Sequence, residues 1–460
     1  MALPRVRLTS PQTPVGSTTA NKARRGKWGW AWLVSSQKRL FQRPGIAFAP
    51  RAMNNDASSN RPTVAVLFDR FGPYHLARIG SAAPYLTVVG VELSAETKEY
   101  AWDKVADSDR FRRVTVFPDG SARDATMEEV RKRLFAHLDA IKPAAVAIPG
   151  WSGRAALLAL QWCVGNRVPA VMMSESHEID EARKPILEFV KRQVLRTCSA
   201  ALVGGSIHVE YLKKLGFPAD RVALGYDVVD NSYFANGAAA ARAEEDATRA
   251  RLGLPAAYFV ASNRFIAKKN LPLMLRAYAA YRKAAKDAPL RDLVLLGDGP
   301  LRAEVEAVVD QLGLRACVHL PGFRQYADLP GYYALADAFI HASTAEQWGL
   351  VVNEAMAAGL PVVVSNRCGS AFDLVQDGVN GYRFDPFNEA EFAARLGQIP
   401  ARGAAWEKLS AGSRDIIAKW DQARFGEGLR DAVAMALKFG PTTGGLLPRV
   451  ALSALVRVRK

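Results

Sequence analysis

From residue 62 onward, short β-branched and apolar runs alternate with segments whose apolar positions recur at helical spacing. TVAVLFD (63–69) reads as a buried strand that ends in the turn RFGPYH (70–75), with a helix after it. LTVVGVEL (86–93), RVTVFP (113–118), AAVAIPG (144–150), VPAVMMSES (168–176) and ALVGG (201–205) repeat the strand signal. ATMEEVRKRLFAHLDAI (125–141) reads as one of the helices between them. NGAAAARAEEDATRARLGLP (236–255) carries no apolar stripe and reads as a linker helix. A second alternating series then begins: YFVASNR (258–264), LVLLGDGP (293–300), CVHLPG (317–322), AFIHAS (338–343), VVVSN (362–366) and YRFDP (382–386), closed by helical residues 404–438. Such alternation predicts parallel, doubly wound α/β sheets. Ligands of open parallel sheets sit beyond the carboxyl ends of the strands, so two sheets in tandem place the expected site in the cleft between them.

Charge changes the picture only at the ends. The formal net charge of +16 raises nucleic acid or an anionic membrane as partners. Residues 1–60 contribute +9 and residues 441–460 contribute +4 of that excess. No nucleic-acid module is legible in the body, so nucleic acid is not an expected partner. The longest apolar runs fall short of the roughly 18 residues a membrane span needs. Cys163, Cys198, Cys317 and Cys368 are far apart and show neither metal spacing nor a disulfide framework, which fits a reducing compartment. The leader lacks the apolar core of a secretory signal; its Arg- and Ser-containing, acid-poor composition fits a transit peptide, or an upstream start with Met53 as the true beginning. Within it, WGWAWLV (28–34) reads as a short helix or as an interfacial anchor.

The candidate chemistry centres on TAEQWGLVVNEAMAAGLP (344–361). AFIHAST is a strand, and Glu346 follows its carboxyl end. Gly349 permits a tight turn, and LVVNEAMAAG then reads as a helix ended by Gly359 and Pro361. The first amides of that helix make an anion site. Glu346 at the loop mouth and Glu354 one turn into the helix leave a carboxylate on each side of a bound phosphate, which suits a sugar, a pyrophosphate and a ribose. Two glutamates eight apart recur by chance, and their company strengthens them. Arg264 and Lys269 in SNRFIAKKN belong at the carboxyl edge of the same sheet, where two fixed cations neutralise a diphosphate without a metal.

SNRFIAKKNLPLMLRAY, LVLLGDGP, VHLPGF and EQWGLVVNEAMAAGLPVVVSN…DGVNGYRF, in that order, resemble the C-terminal half of a family 4 (group 1) glycosyltransferase. LVGGSIHVEYLKKLGFPADRVALGYDVVDNSYF (202–234) is similar to the end of that family's N-terminal half, and the likeness covers roughly residues 62 to 435. The resemblance implies a GT-B architecture of two Rossmann-like domains facing across a cleft. Residues 61–235 would form the acceptor domain, 236–255 the linker and 256–420 the nucleotide-sugar domain. Residues 421–440 would form a helix crossing back, with a basic tail at 441–460. It implies a UDP-, GDP- or ADP-sugar donor, retention of anomeric configuration and no metal or other cofactor. Carried over by residue, Glu346 would contact sugar hydroxyls, and the backbone of Gly349, Leu350 and Val351 would hold sugar and phosphate. Glu354 would bind the ribose, and Arg264 with Lys269 the diphosphate. Gly72 matches the family's glycine-bearing loop near the phosphates, although FGPYH replaces the common double glycine. A histidine facing the donor sugar is expected in SESHEID (174–180): His177, with Glu175 or Ser176 as alternatives. Cys368-Gly369-Ser370 replaces the usual glycine pair, and Asp373 replaces a glutamate. Base contacts are expected from Gly322 and Phe323, and acceptor contacts from FGPYH and PGWSG (149–153).

The expected activity is hexosyl transfer to an acceptor hydroxyl in bacterial cell-surface glycan or glycolipid synthesis, at a cytoplasmic site or peripherally at the inner membrane face. The basic tails would contact a membrane near a glycan or lipid-linked acceptor. The alternatives are a nucleotide-sugar epimerase or glycan phosphorylase of the same architecture, or an inactive scaffold. Asp107-Ser108-Asp109 spells a metal-binding D-x-D but lies in a polar helical stretch. GDGP (297–300) lacks the third glycine and the downstream acid of a dinucleotide fingerprint.

Overall fold

The computed structural model describes residues 61–94, 109–118, 120, 122, 124–285 and 290–458. The leader with its aromatic patch at 28–34 lies outside the described residues, as do Asp107 and Ser108; Asp109 is exposed. One sheet holds β1 (Thr63–Phe68), β2 (Thr87–Ser94), β3 (Arg112–Phe117), β4 (Ala145–Pro149), β5 (Ala170–Ser174), β6 (Ala200–Val203) and β7 (Val222–Leu224). Its order is β3-β2-β1-β4-β5-β6-β7. The second holds β8 (Tyr258–Ser262), β9 (Asp292–Leu296), β10 (Val318–Gly322), β11 (Ala338–His341), β12 (Val362–Ser365) and β13 (Gly381–Phe384), in the order β10-β9-β8-β11-β12-β13. The pairings are parallel, and the central strands are apolar on both faces because helices cover both sides.

In each sheet the strand order reverses at one place, between β1 and β4 and between β8 and β11. Chains leaving these strands diverge to opposite faces and open a crevice at their carboxyl ends. The loops at those ends are the turn at Phe71–Gly72, the stretch Asn263–Lys269 and the stretch Ala342–Gly349. The topology therefore brings together the segments that carry Gly72, Arg264, Lys269 and Glu346.

Three details differ from the sequence reading. β7 was not foreseen: it is three residues long and sits in RVALGYD beside charged neighbours. The stretch read as a stripeless linker helix is covered by two helices, Asn231–Ala243 and Glu245–Leu252; the first buries Phe234 and Ala238, one turn apart. Alanine seals that face without registering as an apolar pattern. The basic tail is largely a helix, Leu446–Val458, whose Leu452 and Val456 are buried in the core of the first sheet.

The chain returns to its starting domain near the end. The helix Gln422–Phe439 packs on the helix Pro73–Ser81 and on β6 and β7. Close approach needs Gly428, where a β-carbon would collide with the Leu224 carbonyl oxygen. Val228 is buried in the first core and Val229 in the second, so the outward crossing is made between two consecutive residues. Val229 is bridged to Asp421 on the return crossing, and Arg78 donates to the Val228 carbonyl at 3.0 Å.

Candidate active site

Arg264 and Lys269 follow β8. Lys268 and Lys269 lie in a short 3₁₀ turn, Ala267–Lys269, stopped by Asn270 in the left-handed conformation. Glu346 follows β11, and Gly349 at φ 93° and ψ 68° starts the helix Leu350–Ala357. A side chain there would be strained by the backbone alone and would also press on the Cys368 sulfur, 2.9 Å from the would-be β-carbon. These loops enclose a cleft of about 540 Å³ whose walls include Arg264, Lys269, Phe323, Glu346, Val351 and Glu354. Tyr74 reaches into the same cleft from the first domain.

Glu346 is the electrostatic centre of the site. One carboxylate oxygen pairs with Lys269 and accepts from the Ser343 hydroxyl at 3.2 Å; His341 lies 3.5 Å from it. The other oxygen is 3.4 Å from Lys268. Burial alone would push this carboxyl up. The His341 hydrogen bond and the neighbouring positive charges, Lys269 foremost, outweigh it and hold Glu346 well below the usual carboxylate range. Glu354 is in the opposite condition. It is fully buried, and its oxygens accept from the Tyr74 hydroxyl at 2.6 Å and the Tyr333 hydroxyl at 2.8 Å. Burial raises its pKa, and the two tyrosines counter this without cancelling it. The two carboxylates thus act on stability with opposite sign. The contribution of Glu346 is present above the ordinary carboxylate range and is lost as pH falls through its depressed value. That of Glu354 is present below that range and is lost as pH rises through its raised value.

The structure corrects two assignments. His177 does not face the cleft: it is buried behind Glu346, with Nε2 2.9 Å from the Glu346 backbone carbonyl. Burial lowers its pKa, so the neutral ring donates to that carbonyl and positions the loop. Gly72 does not offer its amide to a ligand, because its N–H donates to His75 Nδ1 at 3.0 Å; Tyr74, two residues on, is the group that meets the cleft. Gly349 and Leu350 stand at the start of the helix, and of that start Val351 lines the cleft.

His208 and Trp348 were not singled out from sequence, and Asp373 was noted there only as a departure from the resemblance. His208, held neutral by burial with its pKa lowered to about 3, accepts from the Gly205 amide and lies 3.1 Å from the Gln347 carbonyl. His177 and His208 therefore grip consecutive carbonyls of the Glu346 loop from the first domain. Trp348, 1% exposed, wedges between His208 and Trp420 and donates to Asn353 at 2.9 Å. Asp373 accepts from the Ser206 amide at 2.9 Å, capping a first-domain helix from the second domain. Only its residue type signalled His208, whose carbonyl partner Gln347 lies 139 residues away. Among the described residues, no three His, Cys, Asp or Glu side chains are grouped to hold a metal ion.

Residues 244–411 match the family described as Glycosyl transferases group 1. This stretch is a group 1 glycosyltransferase domain. The alpha-D-kanosaminyltransferase of Streptomyces kanamyceticus is 29% identical over 214 residues, 45% of this chain and 53% of that protein. The alpha-monoglucosyldiacylglycerol synthase of Acholeplasma laidlawii is 32% identical over 146 residues, 31% of this chain and 35% of that protein. The matched stretch thus spans about half the length of the first relative and a third of the second. The crystal structure of Anabaena Alr3699/HepE in complex with UDP and glucose superposes with a TM-score of 0.61 at 19% identity, covering 81% of this chain and 99% of that one. The glycosyltransferase fold is GT-B, with a parallel sheet in each domain.

Proposed function

We propose that this chain moves a sugar from a UDP-, GDP- or ADP-sugar to an acceptor hydroxyl, with retention of anomeric configuration and without a metal ion. The observation that carries the reading is the cluster of Arg264, Lys268, Lys269 and Glu346 at the carboxyl edge of the second sheet, in a cleft that also holds Glu354. The bond from the anomeric carbon to the β-phosphate oxygen breaks, and its electron pair leaves with the diphosphate. Arg264 and Lys269 stabilise the charge that develops there, aided by the helix start at Leu350 and Val351. The acceptor oxygen bonds to the anomeric carbon on the face the diphosphate leaves, and its proton passes to the departing phosphate oxygen. Glu346, kept ionised, accepts hydrogen bonds from the sugar hydroxyls.

A second cleft, of about 410 Å³, shares Lys268 with the first and carries Trp151, Ser152, Ser176 and Gln347. It is the proposed acceptor site. A glycan or glycolipid acceptor in bacterial envelope synthesis is supported by the names of relatives, including the Acholeplasma laidlawii synthase and the lipopolysaccharide core biosynthesis glycosyltransferase LpsD of Rhizobium meliloti. The test is a thermal-shift screen of UDP-, GDP- and ADP-sugars with and without EDTA. One donor class raises the melting temperature equally in both conditions; no shift with any donor, or a shift abolished by EDTA, overturns the proposal.

Tyr74 adds an expectation. Its hydroxyl occupies one oxygen of Glu354, so a ribose hydroxyl competes with Tyr74 for that carboxylate. Tyr74→Phe removes the competing hydrogen bond and is expected to tighten binding of the preferred nucleotide by about three- to tenfold in titration calorimetry. Unchanged or weaker binding would show that Tyr74 does not compete with the ligand.

A further inference from the structure

Two helices of the first domain carry apolar side chains on their outer surfaces. On Pro185–Leu195 only the last turn is buried, and Ile186, Leu187 and Phe189 stand in solvent at 72%, 48% and 49% exposure. On Leu446–Val458 the inner stripe Pro448, Leu452 and Val456 is buried, while Leu446, Leu447, Val450 and Val458 are exposed on the opposite side. A helix that buries one apolar face in protein ordinarily turns a polar face to water. These two helices pack against each other and hold seven of the fourteen large apolar side chains exposed among the described residues.

The charges around them are mainly positive. Lys184, Arg192, Arg196, Arg449 and Arg457 are exposed around the patch. The acids of the region are paired: Glu178 with Lys214, Glu181 with Arg183 and Lys191, and Glu188 with Lys191. No acid follows Asp431 in the sequence. Apolar side chains in a ring of cations fit the boundary between headgroups and acyl chains of an anionic bilayer. The patch is also continuous with the catalytic region. Leu187 of one helix and Leu455 of the other line the 410 Å³ cleft, whose opposite wall is Lys268, Ala345 and Gln347. Among the described residues no helix is long and apolar enough to cross a membrane.

We infer that the paired helices Pro185–Leu195 and Leu446–Val458 form an interfacial docking surface for anionic lipid, holding the acceptor cleft open to the membrane so that an amphiphilic acceptor enters it from the bilayer. The route of the acceptor rests on the proposed transferase reading; the docking does not.

The test is flotation of the full chain with phosphatidylcholine vesicles containing about 30% phosphatidylglycerol, against phosphatidylcholine alone. The chain floats with the anionic vesicles, less so at high salt. The triple variant Ile186→Glu, Leu446→Glu, Val450→Glu alters only exposed positions and lowers vesicle affinity by roughly a hundredfold or more. A second variant, Arg449→Ala with Arg457→Ala, lowers it by about tenfold. Both keep the melting-temperature shift produced by the preferred nucleotide. A wild-type chain that does not float overturns the inference. So does a triple variant that floats undiminished, which would assign the contact to another segment such as residues 1–58. A wild-type dimer in light scattering that the triple variant converts to monomer would assign the patch to a second copy of the chain and equally overturn it. If no nucleotide shifts the wild type while flotation holds, the transferase reading fails and the docking surface stands.

Discussion

Lys269→Ala is expected to lower turnover by about a thousandfold while the circular-dichroism spectrum stays native. Lys269 is the less exposed of the two lysines of the site: its side chain is 11% exposed and paired with Glu346, whereas that of Lys268 is 45% exposed. In a water-poor cleft, removing one fixed charge that faces a developing anion costs about 3–4 kcal/mol of transition-state stabilisation. The fold tolerates the change because Glu346 retains His341, Ser343 and Lys268 as partners. Lys268→Ala removes a more solvated charge and is expected to cost about tenfold. Initial rates with the preferred donor compare the two. Near-normal turnover in Lys269→Ala would remove it from the mechanism, and equal losses in both would mean that bulk positive charge matters rather than geometry.

Glu354→Gln is expected to raise the donor KM by about a hundredfold and to leave kcat nearly unchanged. Bonds from ribose hydroxyls to an ionised carboxylate are worth about 1.5–3 kcal/mol each, and the amide keeps the shape while losing the charge. pH separates this role from a structural one. Because burial raises the pKa of Glu354, it is the first of the two site carboxylates to take a proton on acidification, and Glu346 stays ionised to lower pH. Donor affinity of the wild type should therefore weaken as pH falls towards the raised value, and the Gln variant should lack that slope. Titration calorimetry across mildly acidic pH decides it: identical pH profiles in both proteins would exclude Glu354 from nucleotide recognition.

The strands were legible because parallel strands buried on both faces must be almost wholly apolar, as β1 and β4 are. β7 escaped because three residues leave no pattern to read. The tail escaped because its inner stripe of Pro448, Leu452 and Val456 is short and its outer face is apolar too, so no contrast marks a helix that packs. Within the site, Glu346, Arg264 and Lys269 were legible from their place just after strands. The state of Glu354 was not: its burial depends on Tyr74, 280 residues away, and on Tyr333. His177 shows the limit most clearly. Which way its ring points is fixed by the Glu346 carbonyl, which the other domain supplies.

The double crossing at Val228–Val229 and Asp421 has a mechanical consequence. A single covalent strap would let one lobe swivel and twist on the other. Two straps laid side by side and stitched together, as Val229 is to Asp421, behave like the pin of a door. Rotation about that pin is opposed by the His177, His208, Tyr74 and Asp373 hydrogen bonds between the lobes, whereas sliding or torsion must tear the stitch as well.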